Sequence, residues 1–177
     1  WAGWWYFFAI GFAYMAVEVV LIQKYTRFIG ASAHTVAAIL FALLAGSALG
    51  AQAAPRFRDR TPFLGILGWL ALDAVLAGPI MDRLAFLPMA LRAASAVAML
   101  APLAFFMGMP FPKGTAKVGE CVDWGFAVNG AASVAGSAAV LLVAFQWGFT
   151  AALALGGLVY LGAGLLLGRE GGWVEVR

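Results

Sequence analysis

The sequence predicts an all-α integral membrane protein built as a bundle of about six transmembrane helices. The chain of 177 residues is 64% hydrophobic and only 11% charged, whereas a soluble domain is about half apolar and a quarter charged. Its mean hydropathy is +0.95. The apolar runs reach about 20 residues, the length that crosses a 30 Å hydrocarbon layer as a helix. They are continuous rather than alternating, so membrane-spanning strands are excluded.

Charged residues, prolines and glycines divide the chain into apolar runs. These predict spans at 3–22, 34–54, 63–80, 90–109, 124–146 and 149–167. Only Trp147 and Gly148 separate the last two spans, which predicts a tight antiparallel hairpin. Two prolines after Met109 predict an abrupt, extended exit from the fourth span. The predicted transmembrane domain covers 1–168, and 169–177 forms a short polar tail.

Six spans place both termini on the same side of the membrane. That side collects Arg56, Arg58, Arg60, Lys113, Lys117, Arg169 and Arg177, and the opposite side holds Lys24, Arg27, Arg83 and Arg92. Because basic loops favour the cytoplasm, we expect a multi-pass protein of the inner membrane with cytoplasmic termini. The basic residues are dispersed among loops, as membrane flanks are, so nucleic acid is excluded as a partner.

Three ionisable residues fall inside the predicted spans: Glu18, Asp73 and Arg92. Each needs a partner, water or a proton, because lipid penalises an isolated charge. All three map to the half of the membrane opposite the termini. One hypothesis is a buried cluster in which Arg92 neutralises one carboxylate and leaves the other to bind a cation or proton. The alternative is a static ion pair, or an Arg92 that extends to the interface.

Polar and small residues also recur at helical spacing. Asn129, Ser133 and Ser137 share one face of the fifth span and are suited either to interhelical hydrogen bonds or to substrate contact. Small residues that would allow close helix packing are Gly46, Gly50, Ala132, Gly136, Gly164 and Gly168. Their alternative explanation is the general abundance of glycine and alanine.

The residues that support cofactor or catalytic chemistry are scarce. His34 is the one histidine and Cys121 the one cysteine, so a bis-histidine haem, an intrachain disulfide and a metal cluster are not expected. There is no phosphate-binding glycine loop and no nucleophile with a histidine base. We therefore expect no cofactor, no metal and no enzyme activity.

Three segments carry a family resemblance: residues 11–24 (GFAYMAVEVVLIQK), 107–114 (MGMPFPKG) and 124–137 (WGFAVNGAASVAGS). Together they resemble the membrane part of bacterial fused major-facilitator and spermidine-synthase-like proteins. The resemblance implies half of a major-facilitator fold, with Glu18, Gln23, Asn129 and Ser133 at motif positions. It does not carry aminopropyl transfer to these residues, because no synthase-like domain is found here.

Two functions remain open from the sequence. The first is a transporter-like module for a small polar or cationic solute, such as a polyamine, acting through Glu18, Asp73 and Arg92. The second is a non-catalytic helical scaffold or accessory subunit of a larger membrane complex. Beyond the lipid bilayer, we expect other membrane subunits or a second transporter half as partners.

Overall fold

The computed structural model describes residues 2–168 and Trp173, apart from the side chain of Glu120. This part of the chain is helical and contains no strand. Its α-helices are α1 (Ala2–Ile29), α2 (Ala33–Ala53), α3 (Thr61–Leu84), α4 (Met89–Met107), α5 (Pro110–Val118) and α6 (Val122–Leu167). All of these except α5 are long and apolar enough to cross a membrane. The predicted polar tail, 169–177, lies outside the described residues apart from Trp173.

Helix α1 forms the centre of the protein. Tyr6, Phe7, Ala13, Val17 and Leu21 are completely buried along its length. Lipid offers helices no hydrophobic reason to associate, so such burial reflects close packing against neighbouring helices. The core of the protein therefore runs along α1, from its first turn to its last.

The first arm of α6 (122–147) runs parallel to α1. Asn129 Nδ2 donates to the Phe7 carbonyl at 3.2 Å, and Ser133 Oγ donates to the Gly11 carbonyl at 3.4 Å. An advance of four residues along the first arm, from 129 to 133, therefore matches an advance of four residues along α1, from 7 to 11, so the two helices run in the same direction. The chain then reaches Gly148, whose φ of 84° and ψ of 173° are non-helical.

The second arm of α6 (149–167) runs back along α1. The Arg27 guanidinium lies 5.5 Å from the centre of the Phe149 ring. A Cβ atom added at Gly156 would lie 2.6 Å from Val17 Cγ2. Advancing along the second arm therefore leads backwards along α1, so α6 reverses direction at Gly148. That backbone conformation is open almost only to glycine.

Two helix boundaries differ from the expectations. Helix α1 continues to Ile29 because Lys24 is paired inside the bundle and Tyr25 and Ile29 are buried. The exit from α4 is not extended, because its C-cap Gly108 has φ −74° and ψ −18° and α5 begins at Pro110. A proline fits the first turn of a helix, where its missing N–H is not needed.

The charged residues gather at two ends of the bundle. One end contains the start of α1 and the end of α6. There, Lys113 Nζ and Lys117 Nζ of α5 lie 3.1 and 3.5 Å from the carboxylate oxygens of Asp59, and Lys117 also donates to the carbonyl of Leu167. The opposite end contains the last turn of α1, the link between α3 and α4, and the reversal at Gly148. Arg169 and Arg177, which the sequence assigns to the first of these ends, lie outside the described residues.

Candidate functional site

Glu18 is a largely buried acid whose carboxylate has no partner in the described chain. The residue is 6% exposed, and its carboxylate oxygens keep some of that exposure rather than being fully enclosed. Glu18 makes no ion pair or side-chain hydrogen bond with the described residues. A carboxylate at this depth is costly unless it binds a proton, a cation or water. Burial of an unpaired acid in a membrane helix therefore marks Glu18 as a candidate ion-binding group.

Two tyrosines contribute hydroxyl groups in or beside the interior of the bundle. Tyr14 precedes Glu18 by one helical turn on the same face of α1. Tyr160, on the second arm of α6, is completely buried, and its hydroxyl has no hydrogen-bond partner in the described chain. Buried polar groups are usually hydrogen-bonded, so the Tyr160 hydroxyl has unused capacity to bond a small polar species.

A cavity of about 390 Å³ with a mostly apolar wall opens beside Tyr14, between α1, α2, α5 and the first arm of α6; we call it the polar cavity after the four polar residues in that wall. The Tyr14 hydroxyl lies 3.0 Å from Ser47 Oγ, and Ser47 also donates to the Ala104 carbonyl at 3.2 Å. Glu18 does not line the cavity itself and lies one turn from its wall. The polar residues of the wall are Tyr14, Ser47, Asn129 and Ser133.

Asn129 and Ser133 line the polar cavity and also form hydrogen bonds between helices. Asn129 donates to a carbonyl of α1, and the single Ser133 hydroxyl proton is shared between the Asn129 carbonyl of its own helix at 2.8 Å and the Gly11 carbonyl of α1 at 3.4 Å. These bonds join the first arm of α6 to α1. Ser137 donates only to its own helix, at the Val134 carbonyl.

Asp73 is paired, and its partner is Lys24 rather than Arg92. Lys24 Nζ lies 2.6 Å from Asp73 Oδ2 and donates to the Asp73 backbone carbonyl at 3.2 Å. The Tyr25 hydroxyl donates to Asp73 Oδ1 at 2.8 Å. With the Asp73 side chain only 3% exposed, this is a satisfied structural ion pair between α1 and α3.

Arg92 does not join the expected cluster. Its Nη1 donates to the Phe28 carbonyl at 2.9 Å, and it pairs with no carboxylate whose side chain the structure describes. The physical reason is its position in the first turn of α4, opposite the last turn of α1. Gln23 is half-buried on α1 and makes no side-chain hydrogen bond within the described residues.

The small residues lie at several close helix contacts. A Cβ at Gly50 would overlap the Phe105 carbonyl of α4, and one at Gly136 would overlap the Phe12 carbonyl of α1. Gly46 faces α4, Ala132 is completely buried, and Gly164 faces the Phe63 ring of α3. Gly168 differs, because an added Cβ would approach only carbonyls of its own helix.

Sequence reasoning missed Lys24, Tyr25, Tyr14 and Ser47. The sequence places Lys24 outside the first span, because a charge normally ends a span. The sequence signal for Tyr14 is its position one helical turn before Glu18. Ser47 has no such signal apart from its position between Gly46 and Gly50.

No known family profile, curated protein or solved structure matches this chain.

Proposed function

We propose that this chain is a transporter-like membrane module that handles a small polar or cationic solute, with polyamines as the first class to test. In this proposal α1 to α4 and the two arms of α6 make six crossings of the bacterial inner membrane. Both termini face the cytoplasm, where the more basic end of the bundle is favoured. The proposal assigns no catalytic step to these residues.

The pairing of helices supports a transporter architecture. The first arm of α6 packs on α1, Ser47 of α2 bonds α4, and Gly164 of the second arm meets Phe63 of α3. If the crossings are numbered one to six, these three contacts join 1 with 5, 2 with 4 and 3 with 6. The second arm also packs on α1, and Trp69 of α3 donates to the Met99 carbonyl of α4, which adds 1–6 and 3–4. Exchanging crossings one to three with four to six maps these five pairs onto one another, whereas the Tyr14–Ser47 contact of crossings one and two has no hydrogen-bonded counterpart between crossings four and five of the described chain. The relation among the five pairs is expected of the three-helix repeats within half of a major-facilitator fold.

The observation that carries the proposal is the unpaired burial of Glu18. Asp73 already has Lys24 and Tyr25, which leaves Glu18 as the buried acid free to exchange a proton or cation. The polar cavity beside Tyr14 supplies hydroxyl and amide groups that can contact a polar solute. This cavity lies on an open face of the bundle, so a second transporter half would be needed to enclose a pathway.

The test compares two amide substitutions in proteoliposomes. We expect purified protein, together with any subunit that co-purifies after mild solubilisation, to take up radiolabelled spermidine. Glu18→Gln should reduce uptake at least tenfold with unchanged thermal stability, because the exchangeable acid is lost. Asp73→Asn should retain uptake while lowering thermal stability, because it breaks only the structural pair.

Three outcomes would contradict the proposal. Wild-type uptake equal to that of empty vesicles would reject spermidine transport. Full uptake by Glu18→Gln would reject the role of Glu18. Stoichiometric purification with a larger complex, without uptake, would favour the helical scaffold or accessory subunit instead.

A further inference from the structure

A second cavity at the opposite end of the bundle contains three cationic side chains. It has a volume of about 540 Å³ and lies between the last turns of α1 and α3, the first turn of α4 and the start of the second arm of α6. Its charged residues are Lys24, Arg27, Asp82 and Arg92. We call it the basic cavity; it is separate from the polar cavity beside Tyr14.

The three cationic side chains of this cavity differ in the ionic and hydrogen-bond partners that they already have. Lys24 is neutralised by Asp73 at 2.6 Å. Arg27 is exposed and lies over the Phe149 ring, which leaves its N–H groups free of carboxylates. Arg92 donates through Nη1 to Phe28, but its Nε is buried and has no hydrogen-bond partner in the described chain. Two guanidinium groups therefore remain available for an anion.

Arginine is suited to one chemical class in particular. Its planar fork donates parallel hydrogen bonds to phosphate oxygens, and these charge-assisted bonds are stronger than neutral ones. The Arg92 Nε–H is enclosed by protein and cannot reach a ligand without a shift of the side chain, so Nη2, which bonds nothing in the described chain, is the group left for the phosphate. The carboxylate of Asp82 lies in the same wall. It would attract an ammonium group next to the phosphate and repel a second negatively charged group.

The position of the cavity indicates where the phosphate comes from. Arg27 precedes the end of α1, Arg92 begins α4, and Phe149 follows the reversal at Gly148. These chain ends mark the level of lipid headgroups if α1 and α4 cross the membrane. Met81 and Phe149 supply apolar wall beside the charges, as a lipid with a polar head and an acyl chain requires.

We propose that the basic cavity binds the headgroup of a zwitterionic phospholipid of the phosphatidylethanolamine type. The phosphate is held by Arg27 and Arg92, and the ammonium group is placed near Asp82. Lys24 remains in its pair with Asp73. This site is separate from the polar cavity, because the two cavities share no lining residue.

Native mass spectrometry of the delipidated protein tests the proposal. The probes are phosphatidylethanolamine and phosphatidylglycerol with the same acyl chains, and inorganic phosphate alone. We expect phosphatidylethanolamine to bind most tightly. Arg27→Gln should weaken it about tenfold or more, the loss expected for a hydrogen bond to a charged group. Asp82→Asn should bring phosphatidylglycerol close to phosphatidylethanolamine.

Arg83→Gln is the matched control. Arg83 is exposed on the last turn of α3 at the same end and does not line the cavity, so this variant should bind like the wild type. Because Arg27 makes no hydrogen bond within the described residues, Arg27→Gln should leave folding intact, which circular dichroism checks. A separate Arg92→Lys variant keeps a donor for Phe28 but loses the guanidinium, and should also weaken binding.

Each contrary result rejects a defined part of the proposal. Unchanged lipid binding by both Arg27→Gln and Arg92→Lys would reject the site. Tighter wild-type binding of phosphatidylglycerol would reject the zwitterionic headgroup. Binding of inorganic phosphate as tight as that of the lipid would replace the lipid with a free anion.

Discussion

Replacing Lys24 with methionine should destabilise the protein more than replacing Asp73 with asparagine, although both changes break the same ion pair. At 2.6 Å between Nζ and Oδ2, the attraction is about 6 kcal/mol for an effective dielectric constant of about 20. Much of this is offset by desolvation of the two charges. The stability effect of each substitution therefore depends on the charge that it leaves behind.

The carboxylate left by Lys24→Met and the ammonium group left by Asp73→Asn differ in how they can be stabilised. Lys24→Met leaves Asp73, 3% exposed, with only the Tyr25 hydroxyl, so we expect a loss of about 3–4 kcal/mol, near that of a broken buried pair. Asp73→Asn leaves a lysine that is 19% exposed, still bonded to the backbone carbonyl of residue 73 and able to extend towards the interface. Its loss should be about 1–2 kcal/mol.

The double variant Lys24→Met with Asp73→Asn buries neither charge. It should therefore be more stable than Lys24→Met alone by about 2 kcal/mol, which is the mark of a coupled pair. Unfolding by sodium dodecyl sulfate in mixed micelles, followed by tryptophan fluorescence, measures these differences. The chain has seven tryptophans to report the transition. Equal losses in the two single variants, or additive losses in the double variant, would refute the reasoning.

The same unfolding assay tests three further substitutions and one control substitution. Gly50→Ala should cost about 1–3 kcal/mol, because its Cβ would overlap backbone of α4; a neutral result would contradict the close approach. Gly148→Ala should cost about 1–3 kcal/mol, because its φ of 84° favours glycine; unchanged stability would argue against the reversal. The control for both is Gly68→Ala, which meets no atom within 4 Å and should be neutral or gain about 0.5–1 kcal/mol. Tyr6→Phe should cost about 1–2 kcal/mol, because its hydroxyl donates to the buried Pro110 carbonyl at 2.6 Å; no loss would show that water replaces the donor.

The sequence by itself determined the helical class and the reversal near Trp147 and Gly148. Apolar runs of about 20 residues leave the backbone in lipid no other way to satisfy its hydrogen bonds than helices. A glycine between two such runs marks where they can fold back. The same reasoning identified Glu18 and Asp73 as acids within helices, because an ionisable residue in an apolar run is visible without any knowledge of its neighbours.

Only the tertiary structure decided which acid is paired. Hydropathy treats Lys24 as the end of a span, since it cannot distinguish a lysine in water from one neutralised by an acid 49 residues away. The structure extends α1 past Lys24, brings it to Asp73, and leaves Glu18 without a cation in the described chain. The physical reason is that the cost of a charge in a membrane depends on its partner, and the partner is chosen by the packing of helices.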